Sequence, residues 1–458
     1  MHKLIVIKFL KQWYSILIVL VTCVWVFFNL TLYKGSGLFT YDKAGYQLYL
    51  PAIFIYEDIK DYNWYDSLVM KYSITNGLPG KFGLNRNTGF NVNTYPIGSA
   101  ICNLPFFLFA DLWAKCTLQY PRDGFSWGYQ LYASLASIVY SFLGLLVLRK
   151  TLKPLFSIHV VHFVILVIFF GTNLYNYAVL DPGMSHPISF FLFSVLLYYL
   201  LRLRDTNQIK YSILFGLVLG LSFITRNTAI LLGLFPLVAY LLDNTNKYTF
   251  RSKLINISII GSFFLIGSLP QIAYIYLVTG KLWVNTYSGS KFNFLNPEII
   301  NGLFSFRKGL LVYTPLIILP FIGLFYTVKQ KQFRSYAITL ACYLVVFIYF
   351  SFSWEMWYYG WGYGCRPFIE VYALLAIPLA IILEEIVALR VFARSAVLSI
   401  IILLISLNLF QSWQYRKYIL HGDSVNMKYY FRIFLKTNIT DADRALIDSS
   451  MPMDSGGW

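Results

Sequence analysis

"WYSILIVLVTCVWVFFNLTLY", residues 13–33, is an apolar run of about the 20 residues that a helix needs to cross a bilayer. Lys3, Lys8 and Lys11 precede it, which places its start on the cytoplasmic side. The run is long for the core of a cleaved signal peptide and no small-x-small site follows it, so it reads as a retained anchor. The rest of the chain has the same character. With 58% hydrophobic residues, 19% aromatics and a mean hydropathy of +0.61, its 458 residues hold more apolar surface than a soluble core can bury.

The net charge of +17 does not point to nucleic acid, because the basic residues sit in short clusters between apolar runs rather than on one face. The clusters are Arg149/Lys150/Lys153, Arg202/Arg204/Lys210, Lys247/Arg251/Lys253, Lys329/Lys331/Arg334 and Arg390/Arg394. Positive-inside sorting assigns each to the cytoplasm, so an even number of crossings must separate consecutive clusters. The runs 155–174 with 185–201, 211–225 with 227–242, 254–279 with 309–328, and 335–352 with 368–389 satisfy this, and 395–412 is a last single span. Between the first helix and Arg149 parity permits one crossing, yet two runs occur, 96–119 and 129–148. The first is broken by Pro96, Asn103, Pro105 and Asp111 and is expected to lie along the outer interface.

The expected fold is therefore an all-α polytopic membrane protein of about eleven spanning helices, with the N-terminus inside and the C-terminus outside. Residues 1–412 form the transmembrane domain, 34–128 a large first outer loop with interfacial helices, and 413–458 a short outer tail in which "YYFRIFL" packs back on the membrane face. Tyr46, Tyr49, Leu50, Ile53 and Tyr56 give the first part of the loop an amphipathic stripe, and "NGLPGKFGLNRNTGFN" reads as a mobile segment, a candidate lid.

Five scattered cysteines, with no CxxC, imply neither a disulfide framework nor a zinc site. No P-loop, GxGxxG or HExxH occurs, which removes an ATP-driven pump and a zinc protease. Chemistry is left to polar residues in the segments assigned outside: Asp42, Asp181 and His186 in "VLDPGMSHP", Arg226 in "ITRN", and Glu355 and Arg366 in "WEMWYYGWGYGCRPF". Ionisable groups are costly in such a setting. Arg226 follows a helix in so short a turn that its guanidinium is expected at the rim between two helices.

The long first outer loop opening with an acid, the interfacial helix starting at "YPIG", the "TRN" turn, "LFSFRKGLLVYTP" (303–315) and "WGYGCRPFIEVYALLAIPLA" (361–380) resemble the GT-C glycosyltransferases. Within that superfamily they resemble the branch of the protein O-mannosyltransferases and aminoarabinose transferases. Two departures stand out: Asp42 is followed by Lys43 rather than a second acid, and the large C-terminal soluble domain common in the family is missing. The resemblance implies a polyprenyl-phosphate-linked sugar donor, a lipid, glycan or protein acceptor, and inverting substitution at the outer face of a bacterial inner membrane. Asp42 is then the catalytic base, and Arg226 and Arg366 hold the donor phosphate, the forked guanidinium suiting two phosphate oxygens. Tyr46, Asp181, His186, Trp354, Glu355, Trp357 and Tyr363 are the expected substrate contacts. No cofactor is required on this reading, with a divalent cation on Asp42 and Asp181 as its variant because some members of the superfamily use one.

Each residue also has a plain structural reading. Asp42 could cap the helix beginning near Ala44, and Arg226 could snorkel or cap a helix C-terminus. "LDPGMSHPIS" could be an ordinary turn in which Ser185 caps a helix with Pro187 in its first turn. The aromatics from Trp354 to Trp361 could be an interfacial belt. "FRKG" (306–309) could bind a headgroup or start a helix, and Glu384 and Glu385 read as structural. A transporter, flippase or polymerase of lipid-linked glycan is the alternative function; the odd helix count, the acid in the first loop and the lack of duplicated halves favour the enzyme.

Overall fold

The computed structural model describes residues 2–29, 38–75, 83–242, 249–287 and 289–447, with side chains from residue 11 onward. Part of the Gly/Asn-rich stretch expected to be mobile (76–82) and the end of the tail (448–458) lie outside the described residues. Helices dominate: α1 (His2–Asn29), then the short α2 (Asp42–Gln47), α3 (Tyr49–Phe54) and α4 (Tyr65–Lys71), α5 (Gly98–Thr117), α6 (Trp127–Leu152), α7 (Ile158–Phe170), α8 (His186–Thr206), α9 (Ile209–Phe223), α10 (Leu234–Leu241) and α11 (Phe250–Thr279). After α12 (Ile299–Phe304) and α13 (Leu310–Tyr313) come α14 (Ile318–Lys329), α15 (Arg334–Ser353), α16 (Ala376–Ala388), α17 (Val391–Arg416), α18 (Met427–Ile433) and α19 (Asp441–Arg444). The described strands are one antiparallel pair, β1 (Leu84–Asn85) and β2 (Val92–Asn93), with Leu84 opposite Asn93.

Among the described residues, six helices are long and apolar enough to cross a membrane: the Lys11–Asn29 part of α1, then α6, α8, α11, α15 and α17. Counting the pair Arg366–Ala373 and Ala376–Ala388, bent by 72°, as one broken span makes seven. The chain is an integral membrane protein. About eleven crossings are expected from the sequence, and four of them fall on helices shorter than this length test admits. Ile158–Phe170 has 13 residues and Ile209–Phe223 has 15, so at 1.5 Å per residue they extend about 20 Å, short of a hydrocarbon core of about 30 Å. Asn227–Leu241 and Pro315–Lys329 are likewise short apolar helices. The 20-residue α5 is not among the candidate spans, in keeping with its Pro105 and Asp111.

Small residues set the closest helix approaches, as usual where lipid supplies no hydrophobic drive between helices. Gly216 of α9 sits against the Ile260 carbonyl, and Gly220 against Gly267 of α11; an added Cβ would lie 2.6 and 2.8 Å from those backbones. Residues from 38–75 and 83–126, α5 included, form a second apolar cluster with Phe39, Tyr49, Tyr65 and Phe125 among its members, packed against the start of α6 and the C-terminal end of α11. Tyr46, Tyr49 and Leu50 of the expected stripe are buried, while Ile53 is exposed. In the tail, Tyr429, Tyr430 and Ile433 of α18 pack on the end of α17, where Gln411 donates to the Tyr430 hydroxyl (2.8 Å) and Gln414 to the Ile433 carbonyl (2.9 Å).

α5 is docked by its first residue. The Gly98 N–H donates to the Ile224 carbonyl (2.6 Å), just before Arg226, and an added Cβ would lie 2.6 Å from that carbonyl and closer still to the Thr225 hydroxyl. Overpacking against rigid backbone typically costs about 1–3 kcal/mol. Gly98→Ala is therefore expected to lower the unfolding temperature in detergent, whereas Gly261→Ala, where a Cβ meets nothing within 4 Å, leaves it unchanged or higher. Equal melting temperatures for the two variants would refute the docking role.

Candidate active site

The polar residues singled out in the sequence come from connections at one end of the bundle: after α1, between α7 and α8, after α9 and after α15. Asp42 opens α2. The residue before it, Tyr41, has φ 45°, a strained region for a side chain with a Cβ, and no side-chain cap bond forms at that helix start. Instead of capping, the Asp42 carboxylate faces inward. Arg366 Nη2 donates to Oδ2 (2.6 Å) and the Tyr95 hydroxyl donates to Oδ1 (2.6 Å). Burial pushes the Tyr95 phenol well above its usual value and the Asp42 charge adds to this, so the ring stays protonated and remains a donor. Gly45 makes that contact feasible: the Tyr95 ring lies where a Cβ of residue 45 would be, so only glycine lets ring and helix meet.

A second pair stands beside the first. Lys43 binds Asp181, which follows a π-helical turn (Asn176–Leu180) and whose other oxygen lies 3.3 Å from the Tyr415 hydroxyl. The third pair is deeper. Arg226 lies in an extended residue between α9 and a 3₁₀ helix (Asn227–Gly233), and its side chain turns inward rather than to the rim. Its Nε makes a 2.7 Å ion pair with Glu370 Oε1, and Nη1 lies 3.5 Å from Ser185 Oγ. His186 Nδ1 lies 3.2 Å from Glu370 Oε2. Ser185 does precede α8, with Pro187 in the first turn, yet its side chain makes no cap bond.

Tyr46 and Tyr287 close the group. Burial raises both phenols, the Asp42 charge adds to the rise and the Arg226 and Arg366 guanidinium groups oppose it, and the Tyr46 ring lies 4.8 Å from that of Tyr95. The three pairs hold three cationic and three anionic side chains, so their formal charges cancel.

The remaining expected contacts lie elsewhere. The Trp354 and Glu355 segment clamps the 280–298 connection: Phe292 bridges to Trp354, the Glu355 N–H donates to the Lys291 carbonyl, and the Lys291 N–H donates to Glu355 Oε1 (both 3.0 Å). Trp357 and Tyr363 are 1% exposed and belong to the packed interior, where Tyr363 donates to Asn408 Oδ1 (3.0 Å). Glu384 and Glu385 are exposed. Sequence reasoning passed over Tyr95, Lys43, Tyr415 and Glu370. Glu370 carried a legible signal, since an acid inside "FIEVYALLAIPLA" is affordable only with a buried partner.

"FRKG" supports the loop that carries Arg366. The Lys308 ammonium is enclosed by the Gly362 and Gly422 carbonyls, and Arg307 stacks 3.5 Å over the Tyr358 ring and pairs with Asp423 (3.4 Å). Arg366 and Glu370 sit in two 3₁₀ turns, Arg366–Phe368 and Glu370–Ala373, ahead of α16.

Asp42 and Asp181 are each engaged in an ion pair. Each is paired with a basic side chain that a metal would have to displace, and among the described residues no three His, Cys, Asp or Glu side chains form a ligand set.

No family model matches the chain, and no curated protein matches it in sequence. Its fold does match solved structures. The archaeal oligosaccharyltransferase AglB from Archaeoglobus fulgidus, solved with an inhibitory peptide and a dolichol-phosphate, aligns over 98% of this chain at 12% identity and a TM-score of 0.51. The apo form of the oligosaccharyltransferase from the same organism aligns over 97% at 12% identity and 0.47. In each case this chain spans 61% of the other's length. What this chain shares with the first of these is the fold, over nearly its whole length.

Lys308 gives this region a pH dependence. Burial pushes its amine down to about 7, against the pull of Asp423, from an ordinary value of 10.5. Between these two values the unfolded chain holds a proton that the folded chain has lost, so stability rises with pH across that window. Lys308→Met should abolish the rise; parallel melting-temperature profiles for wild type and variant would refute the assignment.

Proposed function

We propose that the chain is an integral-membrane glycosyltransferase of the GT-C type. It moves a sugar from a polyprenyl-phosphate donor to a hydroxyl acceptor, with inversion at the anomeric carbon. The observation that carries this reading is the gathering of one partly exposed carboxylate, Asp42, and two arginines, Arg226 and Arg366, at one end of a bundle of apolar helices. A fold shared with an oligosaccharyltransferase solved with a dolichol-phosphate supports it.

The chemistry follows from the residue types. The acceptor hydroxyl loses its proton as it attacks, and Asp42 takes it. The leaving lipid phosphate gains negative charge, which fixed guanidinium groups stabilise in a water-poor space. Arg226 and Arg366 do this, with Tyr46 and Asp181 around the sugar and the buried His186 behind them on Glu370. The lipid tail stays in the bilayer while the headgroup reaches the site. On this reading the four short apolar helices complete about eleven crossings, the N-terminus is cytoplasmic, and the site faces the exterior of a bacterial inner membrane. The acceptor is a lipid, glycan or protein of the envelope. The kinship with the O-mannosyltransferase and aminoarabinose transferase branch rests on the sequence resemblance alone.

A positioned base typically contributes about 10² to 10⁴-fold in rate, so Asp42→Asn should reduce transfer by that factor at matched expression. The measurement is transfer of label from a mixed pool of polyprenyl-phosphate sugars to envelope acceptors in membranes carrying either protein. Equal transfer by both would remove Asp42 from the chemistry. No transfer by either, with movement of lipid-linked sugar across vesicles by both, would favour the flippase.

A further inference from the structure

The two arginines are held in different ways. Arg226 is paired through Nε with Glu370, whose side chain is 0% exposed and whose second oxygen is taken by His186. Arg366 is paired through Nη2 with Asp42, which is 26% exposed, and its Nη1 lies 3.4 Å from the Trp361 carbonyl. One arginine is thus fixed to an enclosed carboxylate, the other to the group that takes the acceptor's proton.

We propose that Arg366 changes partner during the reaction, from Asp42 to the donor phosphate, and that Glu370 is a positioning residue that keeps Arg226 in place throughout. This rests on the glycosyltransferase reading above. The charges that the reaction moves drive the exchange. The acceptor oxygen forms its bond to the anomeric carbon as the bond from that carbon to the phosphate oxygen breaks. The electron pair leaves with the phosphate, which goes from one negative charge towards two, and the acceptor's proton passes to Asp42, which becomes neutral. The attraction between Asp42 and Arg366 disappears as that between phosphate and Arg366 grows. Glu370 receives no proton in this step and keeps its charge, so Arg226 has no reason to leave it.

The arrangement also orders the reaction. While Arg366 and the Tyr95 hydroxyl each occupy one of its oxygens at 2.6 Å, the Asp42 carboxylate has less room to accept from an acceptor hydroxyl. A donor phosphate that competes for Arg366 opens Asp42 Oδ2 to the acceptor hydroxyl, so the base is accessible only when a sugar is present to receive the attack. The opposite arrangement, with both arginines fixed, would leave Asp42 masked in every state.

The test is binding of a polyprenyl monophosphate, the product lipid, to the full chain in nanodiscs, with the neutral polyprenol as control. Asp42→Asn removes the competitor for Arg366 and should bind the monophosphate roughly five- to tenfold more tightly than wild type, although it is inactive. Glu370→Gln loosens Arg226 and should bind it more weakly, by a similar factor. Unchanged or weaker binding by Asp42→Asn overturns the exchange, and weaker binding is the result expected if Asp42 instead held the phosphate through a cation. Unchanged binding by Glu370→Gln overturns its positioning role, and the Asp42 arm stands by itself if that variant does not fold. If wild type binds the monophosphate no better than the polyprenol, the glycosyltransferase reading itself fails, and the exchange with it.

Discussion

The ion pair between Asp42 and Arg366 joins residues 324 positions apart, and the rest of the site is arranged around it. It ties the segment after the first helix to the bend ahead of α16. Neither partner is fully sheltered: the side chains are 26% and 13% exposed, which leaves the contact reachable from one side. A fully buried pair would be costly to separate, and a fully exposed one would fix nothing. The intermediate setting suits groups that must be pre-positioned and still able to change partners. Around the pair, Tyr95 fixes the second carboxylate oxygen, and Lys43 with Asp181 balances the charge next door.

That pair in turn depends on a scaffold of close backbone contacts. Gly45 lets the Tyr95 ring reach Asp42, Gly98 brings α5 against the carbonyl before Arg226, and Lys308 ties Gly362 to Gly422 so that the Arg366 loop and the C-terminal segment form one piece. The segment from 413 onward, which looked like a simple tail, contributes Tyr415 near Asp181 and the carbonyl that Lys308 holds. Most of these contacts use backbone atoms, which explains why they leave little trace in side-chain pattern. The AglB likeness fits this division: at 12% identity the helical framework is shared, while the residues at its end are read from this chain alone.

The membrane class, the positions of the apolar helices and the identity of Asp42, Arg226 and Arg366 as unusual residues were legible in the sequence, because burying charge or exposing apolar surface is expensive anywhere in a chain and so shows in composition and spacing. What the sequence could not rank was partners. Arg226 looked like a rim residue because its turn is short; Glu370, 144 positions later, pulls it inward. Trp357 and Tyr363 looked like sugar platforms because they sit among glycines and aromatics, yet both side chains are packed in the interior. The number of crossings read from charge parity exceeded the number of helices long enough to cross, since parity counts runs and a bilayer measures length. By itself, then, the sequence determined the solvent, the helical class and the scarce charges, each a local or compositional property. Only the tertiary structure decided which cation neutralises which carboxylate, because that choice depends on distances of a few ångströms between segments hundreds of residues apart, and Coulomb attraction and desolvation are settled at those distances.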